Sequence, residues 1–565
     1  MLKGIGASQG YGIGNAVVIS DAKLDYNHVE FTTAQNEKER LQKAVDTFIK
    51  ETRKLADDVK NSAGDKEAEI LEGHIVMLSD PFMLSQMQDN IDAGSVAEKA
   101  VDTVCSMFID MFSGVDDELT QQRASDVKDI KDSLLSILLG VNNVDISKVK
   151  KGSVLIAKDF TPSMTGQINK DNVSAILTEV GGITSHSAIL ARAMGIPAVL
   201  SIPNVCNEVK NGDLVAVDGF KGNVIVSPSN DDIKEFENKQ EAYLKDKESL
   251  KQYFGKPTVT KSGIKKLVYG NIGKAEDVQS VIQNSGEGIG LFRTEFLFMD
   301  RQSEPSEEEQ FEAYSTVAKA MDGKEVIIRT LDVGGDKDIP YLNIEKEENP
   351  FLGHRAIRYC LDNKELFKKQ LRALLRASVY GNIKIMLPLV TCVEEVRQAK
   401  ALIEECKEEL KSEGKEYRSV DVGIMVETPA AVFISDILAR EVKFFSIGTN
   451  DLTGYTMACD RGNNDVSYLY SPLQPSVLRM IKRTIECGVQ NGISVGMCGE
   501  AAANKLMIPL LISFGLTEFS VSAPSVLNVR KIISTWTKEE ADKVTANVLE
   551  MSTQQEIVEY LKSVV

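Results

Sequence analysis

The C-terminal half of the chain alternates between strand-like and helix-like sequence eight times, and this period restricts its fold more than any other feature. The strand-like segments are short and apolar, and helical sequence lies between most of them. Eight such units in about 255 residues match the size and period of a (β/α)8, or TIM, barrel. The strand-like segments are residues 266–272, 288–296, 325–332, 383–390, 422–428, 444–450, 493–498 and 519–522.

Barrels of this kind carry their chemistry at the carboxyl ends of the strands. The ends of these segments are polar or reactive: Arg293, Arg329, Glu427, Asn450, Asp451 and Cys498. The planar donor fork of arginine suits phosphate and carboxylate groups. Glu427 and Asp451, on adjacent strands, suit one hard cation and leave its other positions to water and ligand oxygens, which is typical of magnesium. The rim therefore predicts a small, highly anionic phosphorylated acid as substrate.

Each of these residues also has a simpler interpretation. Strand-end arginines often pair with carboxylates inside barrels, Glu427 could cap a neighbouring helix, and a lone Cys498 is typical of a packing residue. The functional interpretation depends on their shared position at successive strand ends.

The N-terminal half changes its pattern twice. Residues 2–20 are strand-like, residues 33–139 have helical periodicity, and strand-like sequence returns after Lys151. Because isolated N-terminal strands cannot bury a face alone, the bundle is predicted to be an insertion into one α/β domain. The predicted domains are an α/β domain of residues 1–20 and 145–230, a helical bundle of 21–144, a linker helix and hinge of 231–260, and the barrel of 261–565.

The segment 181–186, Gly-Gly-Ile-Thr-Ser-His, predicts a helix start. Paired glycines allow a sharp turn, and Thr184 or Ser185 can cap a helix that runs to Gly195. His186 then stands in the first helical turn, where free amides and the helix dipole favour an anion. By itself the motif also fits an ordinary capped surface helix.

Composition narrows the function. The formal net charge of −18 argues against a broad nucleic-acid-binding surface, which needs clustered lysine and arginine. Acidic residues outnumber basic ones over residues 21–150, which fits either a solvated face or the steering of a basic protein partner.

Other sequence features concern the compartment. The eight cysteines include no Cys-x-x-Cys pair, as expected for reduced thiols. The sequence has neither a long apolar run nor a signal-peptide core at its N-terminus. We therefore expect a cytoplasmic protein that does not insert into the membrane.

Several motifs together resemble the Enzyme I family of the bacterial phosphoenolpyruvate:sugar phosphotransferase system. The resemblance covers essentially the whole chain in family order, at residues 4–8, 72–78, 181–186, 291–299, 332–337, 348–353, 446–453 and 496–500. It implies a multidomain α/β fold, in which a swivelling phosphohistidine α/β domain carries the inserted all-α bundle and precedes the TIM barrel.

The resemblance also implies a reaction, in which phosphoenolpyruvate phosphorylates His186 through Nε2 and the phosphoryl group passes to the phosphocarrier protein HPr. It implies Mg²⁺ on Glu427 and Asp451, and Cys498 as the acid that protonates the enolate carbon to give pyruvate. Thr165 matches a residue near the histidine. The implied substrate-binding residues are Arg293, Arg329, Arg355, Asn450, the backbone of Asp451, and Arg461. The family further implies HPr docking on the bundle and a homodimer formed through the barrel.

Two other functions remain as alternatives. Pyruvate phosphate dikinase and phosphoenolpyruvate synthase share a phosphohistidine domain and a similar barrel, but they need a large nucleotide-binding domain. Residues 21–150 contain no glycine-rich phosphate loop that would indicate one. A non-catalytic sensor of a phosphorylated ligand is the second alternative, and the metal carboxylates together with Cys498 argue against it.

Overall fold

The computed structural model describes residues 1–19, 24–62, 65–114, 118–141, 146–165, 167–182, 185–299, 301–334, 339–460, 463 and 465–565. At residues 58–62, 65–70, 118–122, 147, 162–163, 186 and 193 only the backbone is described. The chain divides into two compact units, Met1–Lys247 and Glu248–Val565.

The first unit is built on one mixed sheet of eight strands, in the order β1-β8-β7-β3-β4-β5-β6-β2. Strands β3 to β6 run parallel, and the remaining neighbours pair antiparallel. The strands are β1 Leu2–Lys3, β2 Ile5–Ser8, β3 Tyr11–Ile19, β4 Ser153–Ala157, β5 Val173–Thr178, β6 Ala198–Leu200, β7 Leu214–Asp218 and β8 Asn223–Val226. Every residue of β4 is buried, as expected for an apolar strand that is covered on both faces.

Among the described residues, five α-helices lie in sequence between β3 and β4, although these two strands are hydrogen-bonded neighbours. They are α1 Ala34–Ser62, α2 Asp65–Leu78, α3 Pro81–Asp92, α4 Ala97–Ser113 and α5 Glu118–Leu139. Apolar residues spaced three and four apart, such as Leu41, Val45 and Phe48, form a separate core with the other helices. The bundle is therefore an insertion, as the sequence predicted.

The other helices of this unit are short, apart from a final long one. They are α6 Pro162–Thr165, α7 His186–Met194, α8 Val205–Glu208 and α9 Asn230–Leu250.

The second unit is a closed barrel in which all eight neighbouring strand pairs are parallel. Its strands are β9 Leu267–Ile272, β10 Ile289–Arg293, β11 Glu325–Arg329, β12 Asn382–Leu387, β13 Asp421–Val426, β14 Phe444–Gly448, β15 Ser494–Cys498 and β16 Glu518–Ser522. Each lies within or overlaps a predicted segment, so all eight strands are confirmed. The alternation places residues such as Phe292 and Phe445 against the outer helices and Ile327 and Met425 in the barrel interior.

Helices cover the outside of the barrel. They are α10 Val278–Gln283, α11 Glu307–Ala320, α12 Ile357–Asp362, α13 Lys364–Ala377, α14 Val393–Ser412, α15 Pro429–Phe433, α16 Ser435–Glu441, α17 Thr449–Met457, α18 Pro475–Gln490, α19 Ile508–Phe514, α20 Val526–Thr535, α21 Lys538–Glu550 and α22 Gln554–Val564. The predicted fold class, an α/β domain with an inserted bundle followed by a (β/α)8 barrel, is confirmed. Within the described part of the chain, no helix combines the length and apolarity needed to cross a membrane.

Candidate active site

Helix α7 begins at His186 and is closed at both ends by local interactions. The Ser185 side chain caps it, since Ser185 Oγ accepts a hydrogen bond from the Ala188 N–H at 3.3 Å. At its other end Gly195 has φ 68°, the left-handed conformation common after a helix. The sequence predicted either Thr184 or Ser185 as the N-cap of this helix, and the structure shows Ser185 in this role. Ile183 and Thr184 lie outside the described residues.

Neighbouring contacts fix the first turn of α7. Ser187 Oγ donates to Asp159 Oδ1 at 2.9 Å, and Ala188 and Ala191 are buried in the core of the α/β domain. Thr165, at the end of α6, is also buried, and α6 packs against α7. The amide groups at the start of a helix have no partner within it and attract anions. The start of α7 therefore suits an anion.

In the second unit, an ion-pair chain crosses the carboxyl end of the barrel. Arg329 Nη2 donates to Glu295 Oε1 at 2.8 Å, and Arg329 Nη1 lies 2.9 Å from Asp332 Oδ2. Arg355 Nη2 donates to Asp332 Oδ1 at 2.7 Å and to Asp451 Oδ2 at 3.4 Å. These ion pairs thus bring together three of the predicted residues, Arg329, Arg355 and Asp451, which come from three different loops or strand ends.

The two arginines are buried and only partly paired. Arg329 is 8% exposed and Arg355 is 3% exposed. Burial lowers the pKa of each guanidinium, but the adjacent carboxylates outweigh it, so both pKa values lie above the ordinary value. Arg329 Nε and Arg355 Nε and Nη1 are buried without a hydrogen-bond partner among the described residues. Unpaired buried donors of a cation are costly, and an anionic ligand would satisfy them.

Glu427 is a buried carboxyl group beside these ion pairs. Its Oε1 accepts the Leu389 N–H at 2.7 Å, and a Cβ atom on Gly448 would lie 2.5 Å from its Oε2. Burial raises the pKa of Glu427, and Asp451 and Asp332 raise it further, while Arg329 opposes them.

A divalent cation fits this carboxyl pair. It would relieve the repulsion between Glu427 and Asp451, and both supply the hard oxygen ligands that Mg²⁺ prefers. Over the residues that the structure describes, no group of three or more His, Cys, Asp or Glu side chains is arranged to hold a metal. Two protein carboxylates with water and substrate oxygens are a common magnesium arrangement.

Cys498 lies in the barrel interior at the end of β15. It is 3% exposed, and its Sγ donates to the Ile447 carbonyl at 3.7 Å. Burial raises the pKa of Cys498 to about 12, although Ser446 and Arg329 act in the opposite direction. The group therefore remains a thiol near neutral pH and can donate a proton.

The remaining predicted residues occupy different positions. Arg293 is exposed at the end of β10, with its Cζ 5.2 Å from the centre of the Phe296 ring. Asn450 is half-buried, and its carbonyl accepts the Tyr470 hydroxyl at 3.1 Å. Arg461 lies outside the described residues.

Sequence reasoning assigned no role to the groups that hold the arginines. Glu295 and Asp332 follow strands β10 and β11, so their position in the strand-end motifs was an available signal. Gln370, in α13, accepts the Leu331 N–H at 2.9 Å and donates to Thr294 Oγ1 at 3.1 Å. No local pattern distinguishes Gln370 from other helical residues, because its role depends on tertiary packing.

Family models place the chain in a class. Residues 3–123 match the N-terminal domain of PEP-utilising enzymes, residues 149–222 match their mobile domain, and residues 247–537 match their PEP-binding domain. Together with the barrel and its arginine-rich mouth, these matches define a phosphoenolpyruvate-utilising enzyme.

Full-length relatives specify the family. The chain is 45% identical over 564 residues to the phosphoenolpyruvate-protein phosphotransferase of Priestia megaterium, covering 100% of this chain and 98% of the relative. It is 44% identical over 563 residues to the protein of the same name from Bacillus subtilis (strain 168), covering 99% of each. The chain belongs to the phosphoenolpyruvate-protein phosphotransferase family, and it is an enzyme. The predicted family is confirmed, and the dikinase and sensor alternatives receive no support.

Proposed function

We propose that this enzyme transfers the phosphoryl group of phosphoenolpyruvate to His186 with Mg²⁺, releases pyruvate, and then phosphorylates a histidine of HPr to drive sugar uptake. The observation that carries this proposal is the pair of buried arginines with unpaired donors, beside two carboxylates suited to a cation. Phosphoenolpyruvate has a phosphate and a carboxylate, which are the groups that such donors bind best.

Charge balance supports the combination of substrate and cation. Arg329 and Arg355 face the carboxyl groups of Glu295, Asp332, Glu427 and Asp451. Among these described residues four carboxyl groups face two guanidinium groups, and a trianionic substrate needs more positive charge. Glu427 and Asp451 would hold Mg²⁺, which when bound neutralises charge on the phosphoryl oxygens. Arg293, Arg461 and Asn450 complete the proposed binding set.

Cys498 is the proposed acid for the carbon atom. Loss of the phosphoryl group leaves the enolate of pyruvate, which needs one proton at its terminal carbon. A buried thiol that stays protonated near neutral pH can supply it, and Cys498 is such a group.

His186 is the proposed carrier. A neutral imidazole is a competent nucleophile, and the start of α7 stabilises the negative charge of the phosphoryl group. Because the histidine and the arginines belong to different units, His186 must reach the barrel to accept the group and reach HPr to donate it. The segment 231–260 is the proposed hinge.

The inserted bundle is the proposed docking site for HPr. Helices α2, α3 and α4 expose several large apolar side chains, namely Val76, Phe82, Met107 and Met111. Residues 21–150 are also acidic in balance, which suits a basic partner surface. We further propose a cytoplasmic homodimer formed through the barrel, where Phe433 and Ile437 are exposed apolar side chains.

Incubation of the full chain with Mg²⁺ and phosphoenolpyruvate tests the proposal. We expect one pyruvate and one acid-labile phosphoryl adduct per chain, and loss of the adduct when HPr is added. The adduct should be absent from His186→Ala. The matched control is His354→Ala, because His354 is a half-exposed surface residue whose Nε2 lies 2.8 Å from Asp362 Oδ2. An adduct that survives His186→Ala, or pyruvate without phosphorylation, would overturn the proposal.

A further inference from the structure

The barrel interior contains a buried carboxyl group that the proposed reaction leaves unused. Glu518, the first residue of β16, is 6% exposed. Its Oε1 is buried and lacks a hydrogen-bond partner among the described residues. A buried, incompletely satisfied carboxyl group in a barrel core costs stability, so its presence calls for a functional explanation.

The strand register places Glu518 one side-chain layer below Cys498. In the pairing of β15 with β16, Gly496 lies opposite Glu518, and Cys498 lies opposite Ser520. Alternate residues of a strand point to the same side, so Gly496 and Cys498 both face the interior. Since Gly496 has no side chain, Glu518 fills that space: a Cβ atom on Gly496 would lie 2.7 Å from Glu518 Oε2.

The hydroxyl group of Ser520 lies in the same layer as Cys498, directly above Glu518 on β16. A Cβ atom on Gly290 would be 2.2 Å from Ser520 Oγ and 2.3 Å from Glu518 Oε1, so both oxygens border the space beside Gly290. Ser520 Oγ itself donates to Asn271 Oδ1, which leaves its lone pairs available to accept a hydrogen bond from a protonated carboxyl group. The polar groups Glu518 and Ser520 thus lead upward through the barrel towards the level of Cys498.

The lower end of this column approaches solvent. Lys384 Nζ lies 2.6 Å from Glu325 Oε2, and these side chains are 16% and 19% exposed. Burial raises the pKa of Glu518 well above the ordinary value, Glu325 raises it further, and Lys384 opposes them. The titratable groups that influence Glu518 are Tyr269 of β9, Glu325 of β11, Lys384 of β12 and Cys498 of β15. Burial and the nearby Glu325 carboxylate therefore favour the protonated form of Glu518.

We propose that Glu518 supplies the proton that restores the Cys498 thiol after each turnover, from the side of the barrel opposite to the substrate. This inference rests on the acid role proposed for Cys498. First, the S–H bond of Cys498 breaks and a C–H bond forms on the enolate, which leaves a thiolate and pyruvate. Next, the O–H bond of Glu518 breaks and the S–H bond forms again. The Glu518 carboxylate then takes a proton from water at the Glu325–Lys384 end.

The energetics favour this direction. A carboxylic acid is ordinarily a stronger acid than a thiol, so proton transfer from Glu518 to a Cys498 thiolate is favourable. A buried thiolate would otherwise persist in an apolar layer formed by Leu291, Ile327, Met386, Met425 and Phe444.

The test compares the first turnover with later ones in the full-length enzyme. Rapid-quench mixing with labelled phosphoenolpyruvate, Mg²⁺ and saturating HPr measures pyruvate from both. Because Cys498 begins as a thiol, Glu518→Gln should form its first pyruvate at the wild-type rate. Later turnovers should be about 100-fold slower, the lower end of the contribution of a positioned proton donor. Transfer from the phosphorylated variant to HPr, measured separately, should keep the wild-type rate.

Two further variants complete the test. Glu518→Asp keeps an acid and should recover part of the later rate, whereas Cys498→Ser should slow the first turnover itself. If the first and the later turnovers of Glu518→Gln have the same rate, the inference is overturned. This holds whether both rates equal those of the wild type or both are reduced, because a structural defect would slow the first and the later turnovers equally. If instead the wild type forms no pyruvate, the proposed function itself fails. If Cys498→Ser keeps the wild-type first-turnover rate, the acid role of Cys498 fails, and the inference that rests on it fails as well.

Discussion

Replacing Arg355 with lysine keeps the positive charge in the barrel mouth but removes the planar fork. In the enzyme, Arg355 Nη2 is held by Asp332 at 2.7 Å and Asp451 at 3.4 Å, while Nε and Nη1 are buried and unpaired among the described residues. A lysine ammonium can satisfy Asp332, but it cannot present two further donors in a fixed plane. The variant therefore isolates the donors that we assign to the substrate.

The expected loss follows from those two donors. A hydrogen bond to a charged group contributes about 1.5–3 kcal/mol, so two contribute about 3–6 kcal/mol. At about 1.4 kcal/mol per factor of ten, kcat/KM for phosphoenolpyruvate should fall roughly 10²- to 10⁴-fold. The assay is pyruvate release at varied phosphoenolpyruvate with saturating HPr and Mg²⁺.

The control is Arg376→Lys. Arg376 pairs with Glu307 at 2.6 Å and Glu308 at 2.8 Å among the outer helices, so this variant loses a guanidinium fork away from the mouth. Its kcat/KM should change less than about threefold, as expected for a substitution remote from the reacting groups. A loss below about tenfold in Arg355→Lys, or an equal loss in Arg376→Lys, would refute the assignment of Nε and Nη1 to the substrate.

Three further predictions concern the metal carboxylate, the buried acid and the helix cap. Gly448→Ala places a Cβ atom 2.5 Å from Glu427 Oε2, so the Mg²⁺ concentration for half-maximal pyruvate formation should rise at least about tenfold. An unchanged Mg²⁺ concentration would contradict the assignment of Glu427 as a metal ligand. Glu518→Gln should increase the free energy of unfolding near neutral pH, because a carboxyl group whose pKa is raised on folding loses stability as the pH rises above its ordinary value of 4.5. Urea unfolding should show this gain shrink towards zero below that pH, and a gain independent of pH would contradict it. Ser185→Ala removes the hydrogen bond to the Ala188 N–H and should destabilise the first unit by about 1 kcal/mol, measured by thermal unfolding, whereas Ser185→Asp should restore it.

The architecture followed from patterns that local physics enforces. Eight apolar segments at regular spacing have few ways to bury both faces other than a closed parallel barrel, and strands on both sides of a helical bundle need one another to form a sheet. The positions of Arg329, Glu427 and Cys498 at one end of the barrel could be predicted from sequence, because the strand ends of a barrel converge independently of loop conformation.

The hydrogen-bond and ion-pair partners of these residues could not be predicted from sequence. Asp332 holds both Arg329 and Arg355, but which carboxylate meets which arginine depends on loop conformation that no periodicity encodes. Gln370 reaches the strand ends from a neighbouring helix, and Glu518 depends on the absence of side chains at Gly290 and Gly496. The sequence contains these glycines, but their consequence appears only when the strands are in register.

The measurement that tests the account most directly is the location of the phosphoryl group after incubation with phosphoenolpyruvate and Mg²⁺. Tandem mass spectrometry under conditions that preserve phosphohistidine distinguishes the four histidines of the chain, His28, His74, His186 and His354. The account predicts one phosphoryl group, on His186, in proportion to the pyruvate released, and its disappearance when HPr is added. A phosphoryl group on another residue, or pyruvate formed while His186 stays unmodified, would contradict the central claim.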